Sequence, residues 1–78
     1  MKTQNRLQEI FRDVFDDDKL VITREMTAKD IEDWDSFAQI NIVIACESAF
    51  RVHFEISEIL ALEKVGDMID LIERKLPA

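Results

Sequence analysis

The chain is 78 residues long, which suits a single domain spanning 1–78. A domain of this size buries only about 60% of the surface its unfolded chain exposes, so a deep enclosed active site would be hard to build. Ten Lys plus Arg against 17 Asp plus Glu give a formal net charge of −7. That balance disfavours nucleic acid, whose phosphates require clustered cations, and favours a partner with a basic surface, or simply solubility.

One Gly, one Pro and the absence of low-complexity runs argue for a folded chain. The opening Met1-Lys2-Thr3-Gln4-Asn5 lacks the apolar core of a signal peptide, and no apolar run approaches a membrane span. A soluble, cytoplasmic protein is expected. Leu7, Ile10, Phe11 and Val14 then fall at i, i+3, i+4 and i+7, one apolar stripe on a helix. The predicted helix runs from about Thr3 to Phe15, with Gln8, Glu9, Arg12 and Asp13 on a polar outer face. Asp16-Asp17-Asp18 ends it as a solvated turn. A metal loop is disfavoured because Ca²⁺ loops alternate their ligands around a Gly.

From Leu20 to Asp35 the pattern is irregular, and a loop this long is often functional. Leu20, Ile22, Ile31 and Trp34 are expected to pin it, with a short helical turn over Thr27 to Ile31. A second helix is predicted from Ser36 to about Phe50. It is apolar over more of its circumference than one contact needs. Ile42, Val43, Cys46 and Phe50 form one side. Phe37, Ile40 and Ile44 form another, flanked by Asn41, Glu47 and Ser48. The second stripe is either partly exposed for partner docking or buried within the bundle. Cys46 is the sole cysteine, so no internal disulfide forms, and it reads as a small buried hydrophobe.

Ile56 to Leu62 reads as a short third helix. Val65, Met68, Ile69, Ile72 and Leu76 repeat at helical spacing in a last helix, which Pro77 cannot continue. Arg74 and Lys75 suit its C-terminal dipole. The architecture is all-α: a small four-helix bundle, three longer helices plus one short one, with a long loop between the first and second helices.

The most informative segment is Asp33-Trp34-Asp35-Ser36-Phe37. It sets Ser36 at a helix start just after a loop, where a bare Ser reads as an N-cap. An exposed hydroxyl there could also carry a phosphate, because unpaired N–H groups and the helix dipole favour an anion. On these residues the chain resembles the acyl carrier protein family. The family's attachment motif, Asp-Ser-Leu before the second helix, stands here as Asp35-Ser36-Phe37, and Trp34 matches the Trp-Asp-Ser form of specialised and polyketide-type carriers. Glu47, Phe50 and Phe54 stand at the family's downstream spacings. The family's Val-Gly-Asp opening of the last helix appears as Val65-Gly66-Asp67. The resemblance spans Leu7 to Leu76.

The resemblance implies a carrier that holds acyl intermediates as thioesters on a 4′-phosphopantetheine arm. A phosphopantetheinyl transferase, with Mg²⁺ and coenzyme A, would attach the arm to Ser36. Asp35 would help orient the transferase's metal or the phosphate surroundings. Phe37, Ile40, Asn41, Ile44 and Glu47 would form the docking surface. The chain itself would be no enzyme, with no catalytic residue and no resident metal. Partners would be the transferase and an acyl- or aminoacyl-loading ligase, synthase or acyltransferase, and the carrier would be monomeric. Three departures point to a dedicated pathway rather than general fatty-acid synthesis. Ala38, Asn41 and Ser48 are uncharged, Phe54-Glu55-Ile56 replaces Ile-Pro-Asp, and Glu63-Lys64 stands where the last helix is often capped by Ser or Thr.

Three rivals remain. An aminoacyl or peptidyl carrier, such as one for D-alanine, shares the Ser and the bundle. A helical interaction module without a prosthetic group would fit everything but the Asp-Ser pair. A hydrolase using Ser36 and His53 would need to close a gap of about 25 Å along the second helix at 1.5 Å rise per residue.

Overall fold

The computed structural model describes residues 2–76; Met1 and the helix stop assigned to Pro77 lie outside them. The chain forms α1 (Lys2–Phe15), α2 (Ser36–Phe50), α3 (Ile56–Leu60) and α4 (Val65–Lys75). The third and fourth helices are shorter than their apolar spacing suggests. Ala61 closes α3, so Leu62 lies beyond it, and Leu76 is the C-cap of α4. Thr27 to Ile31 does not continue as a helix: it is a turn closed by the Asp30 N–H to the Thr27 carbonyl at 3.0 Å. Thr27 also makes an isolated antiparallel bridge with Lys64.

The core is built from the predicted stripes. Leu7, Ile10 and Phe11 of α1 meet Ile42, Val43 and Cys46 of α2 and Val65, Met68, Ile69 and Ile72 of α4. Phe54 and Leu71 are buried with them, while Val14 and Phe50 pack against the edge. α1 ends in a Schellman motif. Asp16 is left-handed (φ 50°), and the N–H groups of Asp16 and Asp17 reach back to the carbonyls of Asp13 and Arg12. α2 ends the same way, with Arg51 left-handed (φ 56°) and the N–H groups of Arg51 and Val52 on the Glu47 carbonyl. Asp16, Asp17 and Asp18 are exposed, as a solvated turn requires, and no metal-holding cluster occurs among the described residues.

The connection from Asp16 to Asp35 is held at both flanks. Ile22 and Ile31 are buried, and Leu20 and Trp34 pack against the core. The polar face of α1 is not simply solvated. Arg12 Nε donates to the Leu20 carbonyl at 2.7 Å, Gln8 Oε1 accepts from the Ile22 N–H at 3.1 Å, and Gln4 Nε2 donates to the Ile22 carbonyl at 3.3 Å. On the other flank, the first turn of α4 donates to the loop: Val65 N–H to the Met26 carbonyl and Gly66 N–H to the Arg24 carbonyl, both at 2.9 Å. Asp67 adds its carboxylate to the N–H groups of Glu63 and Lys64. Backbone carbonyls and Asp67 therefore replace the missing Ser or Thr cap. Gly66 suits the close approach, because a Cβ there would stand 3.0 Å from the Arg24 carbonyl oxygen and push the loop back by a few tenths of an ångström. Arg24 also grips the Asp70 carboxylate from the same side, at 2.9 and 3.0 Å.

Cys46 is fully buried, and desolvation, reinforced by the nearby Glu47 charge, pushes its thiol up from 9.0 to about 12. The folded chain thus keeps a proton that the unfolded chain loses above pH 9.0. Stability is fully present below that point and falls as the pH rises towards about 12. Alkylation by iodoacetamide at pH 8 should accordingly be negligible on the native protein and rapid in urea. Fast modification of the native chain would contradict the packing of α2 on α1 and α4.

Candidate functional site

Trp34 is the first fixed point of the site. Its indole packs edge-on against Phe11 (centroids 5.1 Å apart, interplanar angle 88°) and against Phe15 at 6.4 Å. Three aromatic rings therefore anchor the end of the loop to α1. The indole Nε1–H donates to Gln39 Oε1 at 2.7 Å, tying the loop to the first turn of α2.

Between these anchors α2 begins. Asp35, extended at φ −107° and ψ −172°, is the N-cap: its Oδ1 accepts from the Ala38 N–H at 2.8 Å, and its carbonyl takes the Gln39 N–H at 2.9 Å. The helix therefore opens at Ser36, as its apolar spacing predicts, and the bare reading of Ser36 as the N-cap gives way to Asp35. Both residue types cap well, and the helix starts one residue earlier than a Ser36 cap would require. Ser36 is the first helical residue, exposed, and its hydroxyl is free of the capping duty. Among the described residues, no acceptor takes the N–H groups of Ser36 and Phe37. Two unpaired donors and the positive end of the dipole thus lie beside the hydroxyl, an environment that suits a phosphate ester.

On one side of Ser36 an open groove of about 470 Å³ runs between α2 and α3. Ala28, Trp34, Gln39, Ile59, Leu60 and Leu62 are among its lining residues. On the other side a smaller cleft of about 280 Å³ is rimmed by Asp16, Asp33 and Asp35 with Phe37 and Asn41. The Ser36 end of α2 is therefore acidic, and would attract a basic surface. A hydroxyl, unpaired N–H donors and an adjoining largely apolar groove together fit a phosphate-linked, partly apolar arm.

The second apolar stripe of α2 is exposed. Phe37 is 74%, Ile40 57% and Ile44 58% accessible, and α3 adds Ile56 at 75% and Leu60 at 79%. This settles the open choice for α2, and Phe37 does not fold inward. Asn41 is exposed beside them. Glu47 differs. Its carboxylate accepts from the Phe54 N–H at 2.9 Å and stands 3.3 Å from His53 Nδ1, so it is engaged in closing the α2–α3 connection. His53 follows the C-terminal cap of α2 while Ser36 opens the helix, and its Nε2 faces Glu55 at 3.6 Å. A Ser36–His53 catalytic pair is not formed. Gln39 carries no sequence signal of its place in the site. Its contact with Trp34 is made across the loop-to-helix junction, and no helical period marks it.

Asp35→Ala should cost about 1 kcal/mol in urea unfolding, the usual worth of an N-cap, and Asp35→Asn should restore most of it. Equal losses in both variants would mean that the carboxylate charge, rather than capping, is what matters.

No family model and no curated protein matches the chain. Solved structures do. A holo acyl carrier protein from Geobacter metallireducens, solved in solution by NMR, superposes with a TM-score of 0.89 and 43% sequence identity, covering 96% of this chain and 86% of that one. An acyl carrier protein from Thermotoga maritima superposes with a TM-score of 0.82 and 30% identity, covering 95% of this chain and 86% of that one. Helix order, close superposition and identity over nearly the whole chain agree, and the chain belongs to the acyl carrier protein family, with the acyl carrier role that defines it.

Proposed function

We propose that Ser36 carries the 4′-phosphopantetheine arm and that the chain presents arm-bound acyl groups to partner enzymes of a dedicated cytoplasmic pathway without catalysing a reaction itself. The observation that carries this reading is the exposed, uncommitted Ser36 hydroxyl at the first helical position, beside N–H groups that have no acceptor among the described residues. When bound, the arm supplies a thiol that holds an acyl group as a thioester. The chain's own part is positional. Asp35 fixes the helix start and hence the direction in which Ser36 points. The Ser36 and Phe37 N–H groups favour the negative charge of the phosphodiester.

The docking surface is Phe37, Ile40, Asn41 and Ile44, with Glu47 at its far edge. Its exposed apolar side chains suit an apolar strip on a partner, and the acidic rim at Asp16, Asp33 and Asp35 suits basic groups around that partner's entrance. The partners are a phosphopantetheinyl transferase and a ligase, synthase or acyltransferase that loads or uses the arm. The exposed, uncharged Asn41 and Ser48 of α2 support a pathway with its own loading enzyme, while Ala38 is buried and presents nothing to a partner. The reading treats 1–78 as one carrier domain acting as a monomer.

Incubation with coenzyme A, Mg²⁺ and a broad-specificity phosphopantetheinyl transferase should add the mass of one phosphopantetheine to the parent and none to Ser36→Ala. No gain in the parent would favour a carrier fold used only for binding. Ile44→Asp should leave unfolding free energy within about 1 kcal/mol of the parent, as for a surface substitution, while lowering kcat/KM for loading of Ser36 roughly tenfold. A loss of several kcal/mol in stability would instead mark Ile44 as core.

A further inference from the structure

The amide of Gln39 has a fixed orientation. Indole Nε1–H is a donor only, so the Gln39 atom 2.7 Å from it is the carbonyl oxygen, and this decides which end of the amide is the NH₂. Trp34 is itself held by Phe11 and Phe15, so the amide is braced through an aromatic stack to the core. Gln39 lies one helical turn beyond Ser36, and both residues line the groove between α2 and α3. Among the described residues, no acceptor takes the protons of Gln39 Nε2. The groove beside the attachment serine therefore holds a braced primary amide with both N–H donors unspent, next to the apolar side chains of Ile59 and Leu62.

We propose that Gln39, positioned by Trp34, donates a hydrogen bond from Nε2 to the arm on Ser36 and so seats the arm in this groove. The proposal rests on Ser36 being the attachment site. The chemistry of the arm matches the wall. A pantetheine chain alternates secondary amides, whose carbonyl oxygens accept hydrogen bonds, with short hydrocarbon stretches that suit Ile59 and Leu62. Seating restrains the part of the arm nearest the protein and so narrows the volume that its thiol explores.

The test compares ¹⁵N-labelled apo protein with protein loaded by the transferase and coenzyme A, with loading confirmed by intact mass. The Gln39 Nε2 protons should shift on loading and show nuclear Overhauser contacts to the arm. The emission of Trp34, the sole tryptophan, should change as well. Ser36→Ala under the same treatment should show none of these effects. In mass-confirmed holo Gln39→Met, which keeps the side-chain length but has no donor, the arm contacts should be lost and its resonances should narrow as it becomes mobile. Unmoved Gln39 protons without arm contacts, in a parent that has gained the full mass, would overturn the proposal and leave attachment intact. So would an equal shift in Ser36→Ala. Absence of mass gain in the parent would overturn attachment itself, and the proposal with it. Because the parent spectra alone decide the question, a Gln39→Met variant that fails to fold does not shield it.

Discussion

The α1–α2 connection has little regular structure, yet its backbone polar groups must be paired wherever water is excluded. That requirement organises the molecule. The connection meets it by borrowing from its neighbours: side chains of α1 on one flank, and the unspent N–H groups of α4 on the other. The exchange is reciprocal, because the carbonyls of Arg24 and Met26 also supply the cap that α4 lacks in its own sequence. The loop is in effect a third layer, and it delivers Trp34, Asp35 and Ser36 to one defined place at the head of α2.

α2 has two apolar faces and the bundle can bury only one. Ile42, Val43 and Cys46 are enclosed, whereas Phe37, Ile40 and Ile44 face water. Leaving a large apolar side chain exposed forgoes about 1.5–3 kcal/mol of burial. The second face is therefore a store of binding free energy, realised when another surface covers it. α3 is a single turn and a half with no buried residue of its own; it is tied to α4 by Lys75, 2.9 Å from Glu58 Oε1. The Glu55 N–H and the Lys75 ammonium both favour the charged carboxylate of Glu58 and hold its pKa below the usual range.

The helices were legible because their apolar periods are strong. α1, α2 and α4 lie within a residue of the spans that spacing predicts, and Ile22 and Ile31 pin the loop as expected. What stayed hidden depends on phase or on tertiary contact. Asp35 and Ser36 are both good caps, and no pattern says which one stands outside the helix. Gln4, Gln8 and Arg12 look like a solvent face until the loop is laid over them. Glu47 lies at the edge of the exposed face, and no helical period says that its carboxylate also closes onto the Phe54 amide. Gln39 carries no motif, and its orientation follows only from where Trp34 sits.

The left-handed caps have a consequence of a different kind. The chain contains one glycine, and the close approach of the loop to α4 occupies it. The two longest helices therefore terminate through Asp16 and Arg51, side chains that pay a steric penalty in that conformation. Both positions lie outside the Ser36–Gln39 groove. At Arg51 a glycine could relieve that strain without altering the head of α2, whereas at Asp16 the same relief would remove one carboxylate of the acidic rim beside Ser36.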